Sequence, residues 1–204
     1  MRTLTAIVAL LLVAGVAQAQ ERLPADQAEK YAKLFVERAR SLEDLPLKVE
    51  ADPQKADALH DQDHGAMVIP AKGLLSEEAI RKDAEGGKVV PLGQLWFRNV
   101  TPMVDGQAVP NDKLRIIPVN IEGNDHDLPL LLLGVRKDPD GKWEMVVYAK
   151  DKEPLLRLPI QRAPEGSADQ PLALDAAKKD DRGELTIRVL GKYQAVMTVT
   201  EQAP

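Results

Sequence analysis

The chain has no cysteine in 204 residues. That excludes disulfides, a thiol nucleophile, thiolate metal sites, iron–sulfur ligation and a lipid anchor on cysteine. Stability must then come from apolar burial, which a chain of this length can supply. Aromatic residues are scarce, with two Trp, three Tyr and two Phe. Trp96, Phe97, Trp143, Tyr148 and Tyr193 all fall in apparent strands, where packing is their expected use, so no sugar-stacking platform stands out. The serines are Ser41, Ser76 and Ser167. None sits in a G-x-S-x-G elbow, and Ser167, in Glu165–Asp169, reads as a loop turn. Neither a P-loop nor a G-x-G-x-x-G stretch occurs. Acidic residues are so frequent that no one carboxylate pair points to glycoside hydrolysis. Catalysis is therefore not the expected activity, and no catalytic or cofactor-binding residue is assigned.

Basic runs are missing too. The whole chain carries a formal charge of −5, and a nucleic-acid or anionic-membrane surface would need a basic patch. Past the N-terminus, the longest apolar stretch is Leu128 to Val135, interrupted by Pro129. It falls far short of the roughly 20 residues that span a bilayer. The sequon Asn99-Val100-Thr101 is followed by Pro102 and is taken as a chance match.

What is present begins with an address. Arg2 supplies a positive charge, Ala6 to Val16 is apolar, and Ala17-Gln18-Ala19 places small residues on either side of a spacer. That order describes a secretory signal peptide over residues 1–19, removed to leave Gln20 first. Arg2 leaves with it, so one fewer than the 27 basic residues faces 32 acidic ones. The expectation is an exported protein, periplasmic or secreted, soluble, with no integral membrane segment in its mature chain. A disulfide-free exported domain suits a bacterial periplasm best.

Pro24 to Leu45 carries the helical period. Ala28, Ala32, Phe35, Ala39 and Leu42 form one stripe, with Tyr31 and Leu34 beside it and Glu29, Lys30, Lys33, Glu37 and Arg40 opposite. Pro46 would stop this helix. Leu45, Leu47, Val49 and Ala51 then alternate with polar residues, as a half-buried strand does. Ser76-Glu77-Glu78 can cap a short helix through Ala84, closed by Gly86-Gly87. From Lys88 to Thr200 the period is close to two. Eight strands are predicted, over 89–100, 114–121, 128–136, 143–150, 155–160, 171–176, 184–190 and 192–199. Trp143, Met145, Val147 and Ala149 fall on one face, as do Leu185, Ile187 and Val189, and again Tyr193, Ala195, Met197 and Val199. The expected fold is mainly β (α+β), an antiparallel β-sandwich-like domain with an N-terminal amphipathic helix packed on it. A helix on a curved sheet is the runner-up. Residues 20–87 form the helical and mixed segment and residues 88–204 the sandwich, the two making one compact unit.

One constellation invites chemistry. Each histidine touches aspartate in sequence, in His60-Asp61, Asp63-His64 and Asp125-His126-Asp127. Were Asp57 to His64 helical, Asp57, His60, Asp61 and His64 would share a face at i, i+3, i+4 and i+7. With no thiolate available, imidazoles are the strongest borderline-soft ligands present, and a neighbouring carboxylate can orient the ring. The candidate metal ligands are His60, His64, His126, Asp57, Asp61 and Asp63. A solvated acidic loop is the competing reading. Two functions follow: a non-enzymatic exported domain binding a protein, polymer or small ligand, and, as the alternative, a divalent-metal-binding exported protein. A carboxylate hydrolase has no specific support.

Overall fold

The computed structural model describes residues 20–61, 63–74, 76–84, 87–164, 170–179 and 182–202. The expected signal peptide, the Ser167 loop and the Gly86 helix stop lie outside the described residues. The described residues are mostly antiparallel β, in two sheets with two α-helices. The eight-stranded sheet contains β1 (Glu21–Arg22), β2 (Asp57–Asp61), β3 (His64–Pro70), β4 (Val90–Arg98), β7 (Arg115–Ile121), β8 (Asn124–Lys137), β9 (Trp143–Tyr148) and β10 (Leu156–Pro159). Its order is β1-β2-β3-β4-β8-β9-β10, with β7 also on β8. The six-stranded sheet contains β5 (Val100–Val104), β6 (Gln107–Ala108), β11 (Gln161–Arg162), β12 (Leu172–Lys179), β13 (Arg182–Val189) and β14 (Tyr193–Glu201), ordered β12-β13-β14-β5-β6 with β11 on β14. All eight predicted strands are present, within a few residues of their expected ends.

Helix α1 (Ala25–Arg40) lies on one face of the large sheet and the small sheet covers the other. Alternation along β8 shows this layering directly. Leu130 and Leu132 join the α1 core with Met67, Ile69 and Trp96, whereas Leu131, Leu133 and Val135 join the sandwich core with Leu174, Ile187 and Met197. All five of these β8 side chains are buried. A strand covered on both faces reads as a continuous apolar run, which is why Leu128 to Val135 does not alternate. The expected inward faces of β9, β13 and β14 all point into the sandwich core, with Trp143, Tyr193 and Val199 at its partly exposed margin. Because β3 pairs with β4 from Gly65↔Arg98 to Pro70↔Gly93, one sheet joins the segments on either side of residue 87.

Two expectations are corrected. Helix α1 stops at Arg40, short of Leu45. The Ser41 hydroxyl donates to the Arg38 carbonyl, and Asp44 turns the chain with φ 57. Residues 45–51 form no strand. Leu45, Leu47 and Val49 pack half-buried on the α1 core, and only Ala51 bridges, to Ala71. Their apolar residues lie against the α1 core without a strand ladder.

Two further devices hold the layers in place. Asp57 is buried and accepts from the Leu174 amide at 2.7 Å and from the Arg22 guanidinium, which also donates to the Leu174 carbonyl at 2.8 Å. One carboxylate thus ties β1 and β2 to β12 across the sandwich. At the other end, α2 (Glu77–Asp83) starts at Ser76, whose hydroxyl accepts from the Ala79 amide, as expected. Ile80 is buried against the sandwich core. Glu77 accepts from the Tyr193 hydroxyl at 2.8 Å and from Arg81, and these two contacts hold its carboxyl below the ordinary glutamate range.

Candidate functional site

The strand register decides where the histidines go. In the β2–β3 hairpin His60 pairs with Gly65 and Asp61 with His64. Paired residues share a face and neighbours alternate. Ala58 and Met67 belong to the α1 core, and Leu59 and Val68 to the sandwich core. His60 therefore turns to the α1 side and His64 to the small sheet. The His60 Nε2 lies 4.0 Å from a Glu21 carboxylate oxygen and the His64 Nε2 lies 3.8 Å from that of Glu201. His126, between its neighbours on β8, shares the α1 side with Leu128.

The aspartates of the candidate metal set have other neighbours. Asp57 is consumed by Arg22 and Leu174. Asp61 sits across from His64, and Asp63 lies 3.8 Å from Arg98 while its carbonyl accepts from Asn99. The helix that would have aligned Asp57, His60, Asp61 and His64 is a hairpin instead. Among the described residues no group of three or more His, Asp or Glu side chains could hold a metal ion.

What the register does build is a cleft. On the α1 face of the large sheet, Ala58, Met67, Trp96 and Leu130 form one cross-strand row, and Glu21, His60, Gly65 and Arg98 form the next. The first row is apolar and lies under Phe35, whose ring stacks on Trp96 with centroids 4.9 Å apart. The Trp96 indole donates to the buried Gln94 side chain at 3.1 Å, which fixes the ring. The second row is polar except at Gly65, where the absent side chain leaves the floor open. A Cβ there would meet only the Leu59 carbonyl at 3.5 Å and the Arg98 Cβ at 3.8 Å. Tyr31 and Phe35 of α1 form the roof, and Ile121, His126 and Leu128 close the far wall. Lys30 braces that wall to α1 through Glu122 at 2.9 Å; each partner shifts the other, with the lysine raised and the glutamate lowered.

The cleft encloses about 190 Å³. An apolar cavity of about 150 Å³ accommodates a benzene ring, so the space suits one side-chain-sized group. Its described lining contains no carboxylate, serine, threonine or lysine. Its polar groups are the imidazoles of His60, His64 and His126, the Tyr31 hydroxyl and the Arg98 guanidinium. Such a lining can bury an apolar group and hydrogen-bond its polar end; it holds no base paired to a nucleophile. A second concavity, of about 50 Å³, lies where α2 closes the sandwich between Ile80, Leu92, Val135, Trp143 and Tyr193.

No family model, curated protein or solved structure matches the chain. No helix among the described residues is long and apolar enough to cross a membrane. Of the candidate ligands, His60, His64 and His126 line the cleft and Asp57, Asp61 and Asp63 do not; Gly65, Met67 and Arg98 were not among the residues the sequence singled out. The one available signal was a glycine facing the strand that carries Trp96, and it becomes visible only once the register is known.

Proposed function

We propose that the protein is an exported, non-enzymatic binding domain whose α1 cleft takes an apolar, side-chain-sized group. The observation that carries this reading is the pair of adjacent cross-strand rows, one apolar beneath Phe35 and one polar with its floor opened at Gly65. Burying one aromatic or branched aliphatic group there is worth about 1.5–3 kcal/mol before ordering costs. Binding by this group alone is accordingly weak, and the mouth residues add direction. Export is supported by the charge, apolar run and A-x-A order of residues 1–19.

The test uses the mature chain with Trp143→Phe, so that Trp96 alone reports. Toluene is titrated while Trp96 emission and methyl NMR shifts of Met67 and Leu128 are followed. Saturable shifts confined to the cleft are expected. Gly65→Leu, which fills the floor from a backbone position with room for a Cβ, should abolish them while leaving thermal unfolding cooperative. No saturable shift, or equal binding by Gly65→Leu, refutes the cleft reading. For export, intact mass of the secreted protein should begin at Gln20; a retained Met1 refutes it.

A further inference from the structure

The large sheet forks beside the cleft. β4 pairs with β8 from Val90↔Val135 to Trp96↔Leu130. It then leaves for the small sheet through Asn99, which turns with φ 54. β8 continues with β7 alone, from Arg115↔Leu130 to Ile121↔Asn124. The hairpin turn fixes which backbone groups β7 uses. Glu122 and Gly123 have φ 53 and 89, the mark of a two-residue type I′ turn closing on a hydrogen-bonded pair. Hydrogen-bonded and non-hydrogen-bonded pairs alternate, so Asn124, His126 and Leu128 aim their amides and carbonyls at β7. Asp125 and Asp127 aim theirs into the fork. The prolines agree, since Pro118 faces Asp127 and Pro129 faces Ile116, positions from which this ladder needs no amide. Among the described residues no strand pairs with Asp125 or Asp127 from the fork side.

The side chains of this stretch divide in the same rhythm. His126 and Leu128 face α1 and line the cleft. Asp125 and Asp127 are exposed on the opposite face. Asp125 accepts from the Asn120 side-chain amide at 2.7 Å, and neither carboxylate has a cationic partner among the described residues. A free strand edge, an apolar pocket on one face and two unpaired carboxylates on the other together specify an alternating ligand. Backbone bonds to a free edge give affinity, and pockets for alternate side chains give selectivity.

We propose that the fork receives an extended segment of another protein as an added strand on β8, with one apolar residue in the α1 cleft and a lysine or arginine beside it facing Asp125 and Asp127. This rests on the cleft reading above and names its partner. Opposite charges at cross-strand positions favour the register, and the volume admits one side chain.

The experiment uses the isotope-labelled mature chain and short acetylated, amidated peptides with Phe, Trp, Leu or Val at the centre and lysine on either side. Each has an analogue N-methylated at the two amides that would face β8. Toluene is run in parallel to report on the cleft alone. The expected result is binding with hydrogen-exchange protection gained at the Asp125 and Asp127 amides, at least about tenfold weaker for the N-methylated analogues, which forfeit two backbone bonds. Asp127→Pro removes an amide that the β7 ladder does not use, and should lose peptide but keep toluene. Equal binding of the N-methylated analogues overturns strand addition, as does binding without protection at Asp125 and Asp127. Toluene binding with no peptide in the set bound also overturns it, while the cleft reading survives. Failure of both probes overturns the two together. Protection of Asp125 and Asp127 that grows with protein concentration alone, accompanied by dimer formation, assigns the edge to a second copy and overturns the partner stated here. Should Asp127→Pro fail to fold, the N-methylated peptides still decide the matter.

Discussion

Replacing Asp57 with alanine should be among the most damaging single changes at a polar residue. The carboxylate is 3 % exposed and accepts from the buried Leu174 amide. Without it that amide has no partner, at a cost of about 1–3 kcal/mol. The Arg22 guanidinium also loses its charge partner. Arg22, however, is 45 % exposed, so water and salt screen the pair and its share approaches the roughly 0–1 kcal/mol of a surface bridge. The sum for Asp57→Ala is about 1–4 kcal/mol. Asp57→Asn keeps an acceptor of the same shape and should cost about 1 kcal/mol. The assay is urea unfolding of residues 20–204, with the midpoint falling and the slope unchanged. A double-mutant cycle with Arg22→Ala should give a coupling well below the cost of Asp57→Ala itself. An Asp57→Ala variant within about 0.5 kcal/mol of the parent, the scatter of surface substitutions, refutes the reasoning. So does an Asp57→Asn variant as unstable as the alanine one, because the carboxylate charge would then outweigh the acceptor.

Ile187 is fully buried in the sandwich core, and Ile187→Ala should cost about 2–5 kcal/mol by urea unfolding. Gly93→Ala should destabilise by about 1–3 kcal/mol, since its Cβ would stand 2.5 Å from the Ile69 carbonyl and 2.7 Å from the Leu172 side chain; thermal unfolding reads this. Acid should loosen the docking of α2. The Glu77 carboxyl lies below the 4.5 of an ordinary glutamate in the fold, so unfolding takes up a proton and stability rises with pH across that window. The contribution is whole above about 4.5 and lost as pH falls through the lower folded value, and Tyr193→Phe should shrink this pH-dependent part, as midpoints at several acid pH values will show.

The β-rich half was legible because its burial alternates. Met145 and Val147 point inward from β9 as their spacing requires, with Ala149 buried just beyond its end, and Leu185, Ile187 and Val189 do so from β13. β2 was hidden because Asp57, His60 and Asp61 look like loop residues, and only cross-sheet bonding makes a buried strand position tolerable for Asp57. The stretch from Leu45 to Ala51 misled for the converse reason, as its apolar residues lie against the α1 core without a strand ladder. The cleft depends on which residues stand opposite one another across β2, β3 and β4, and on where β4 parts from β8. Neither is written in any local period. The histidines were conspicuous by composition, yet only the hairpin register shows that His60 and His64 sit on alternate faces at one edge of the sheet, where both line the cleft.

The bonds around Asp57 also bear on the order of assembly. Arg22 and Leu174 are 152 positions apart, and Asp57 and Leu174 are 117 apart. Closing such loops is entropically costly before any contact rewards it, and chains dominated by distant pairings fold slowly, in milliseconds to seconds or longer. As the chain is made or threaded from its N-terminus, β2, β3 and β4 are available first. Their Leu59, Val68, Leu95 and Phe97 then await β12 to β14 with one face bare. A large sheet formed before β12 to β14 would expose that apolar face, the kind of surface through which partly folded chains aggregate. The N-terminal edge is fastened by a strand near the other end, so a chain truncated before Leu172 should lack both the cover and the fastening.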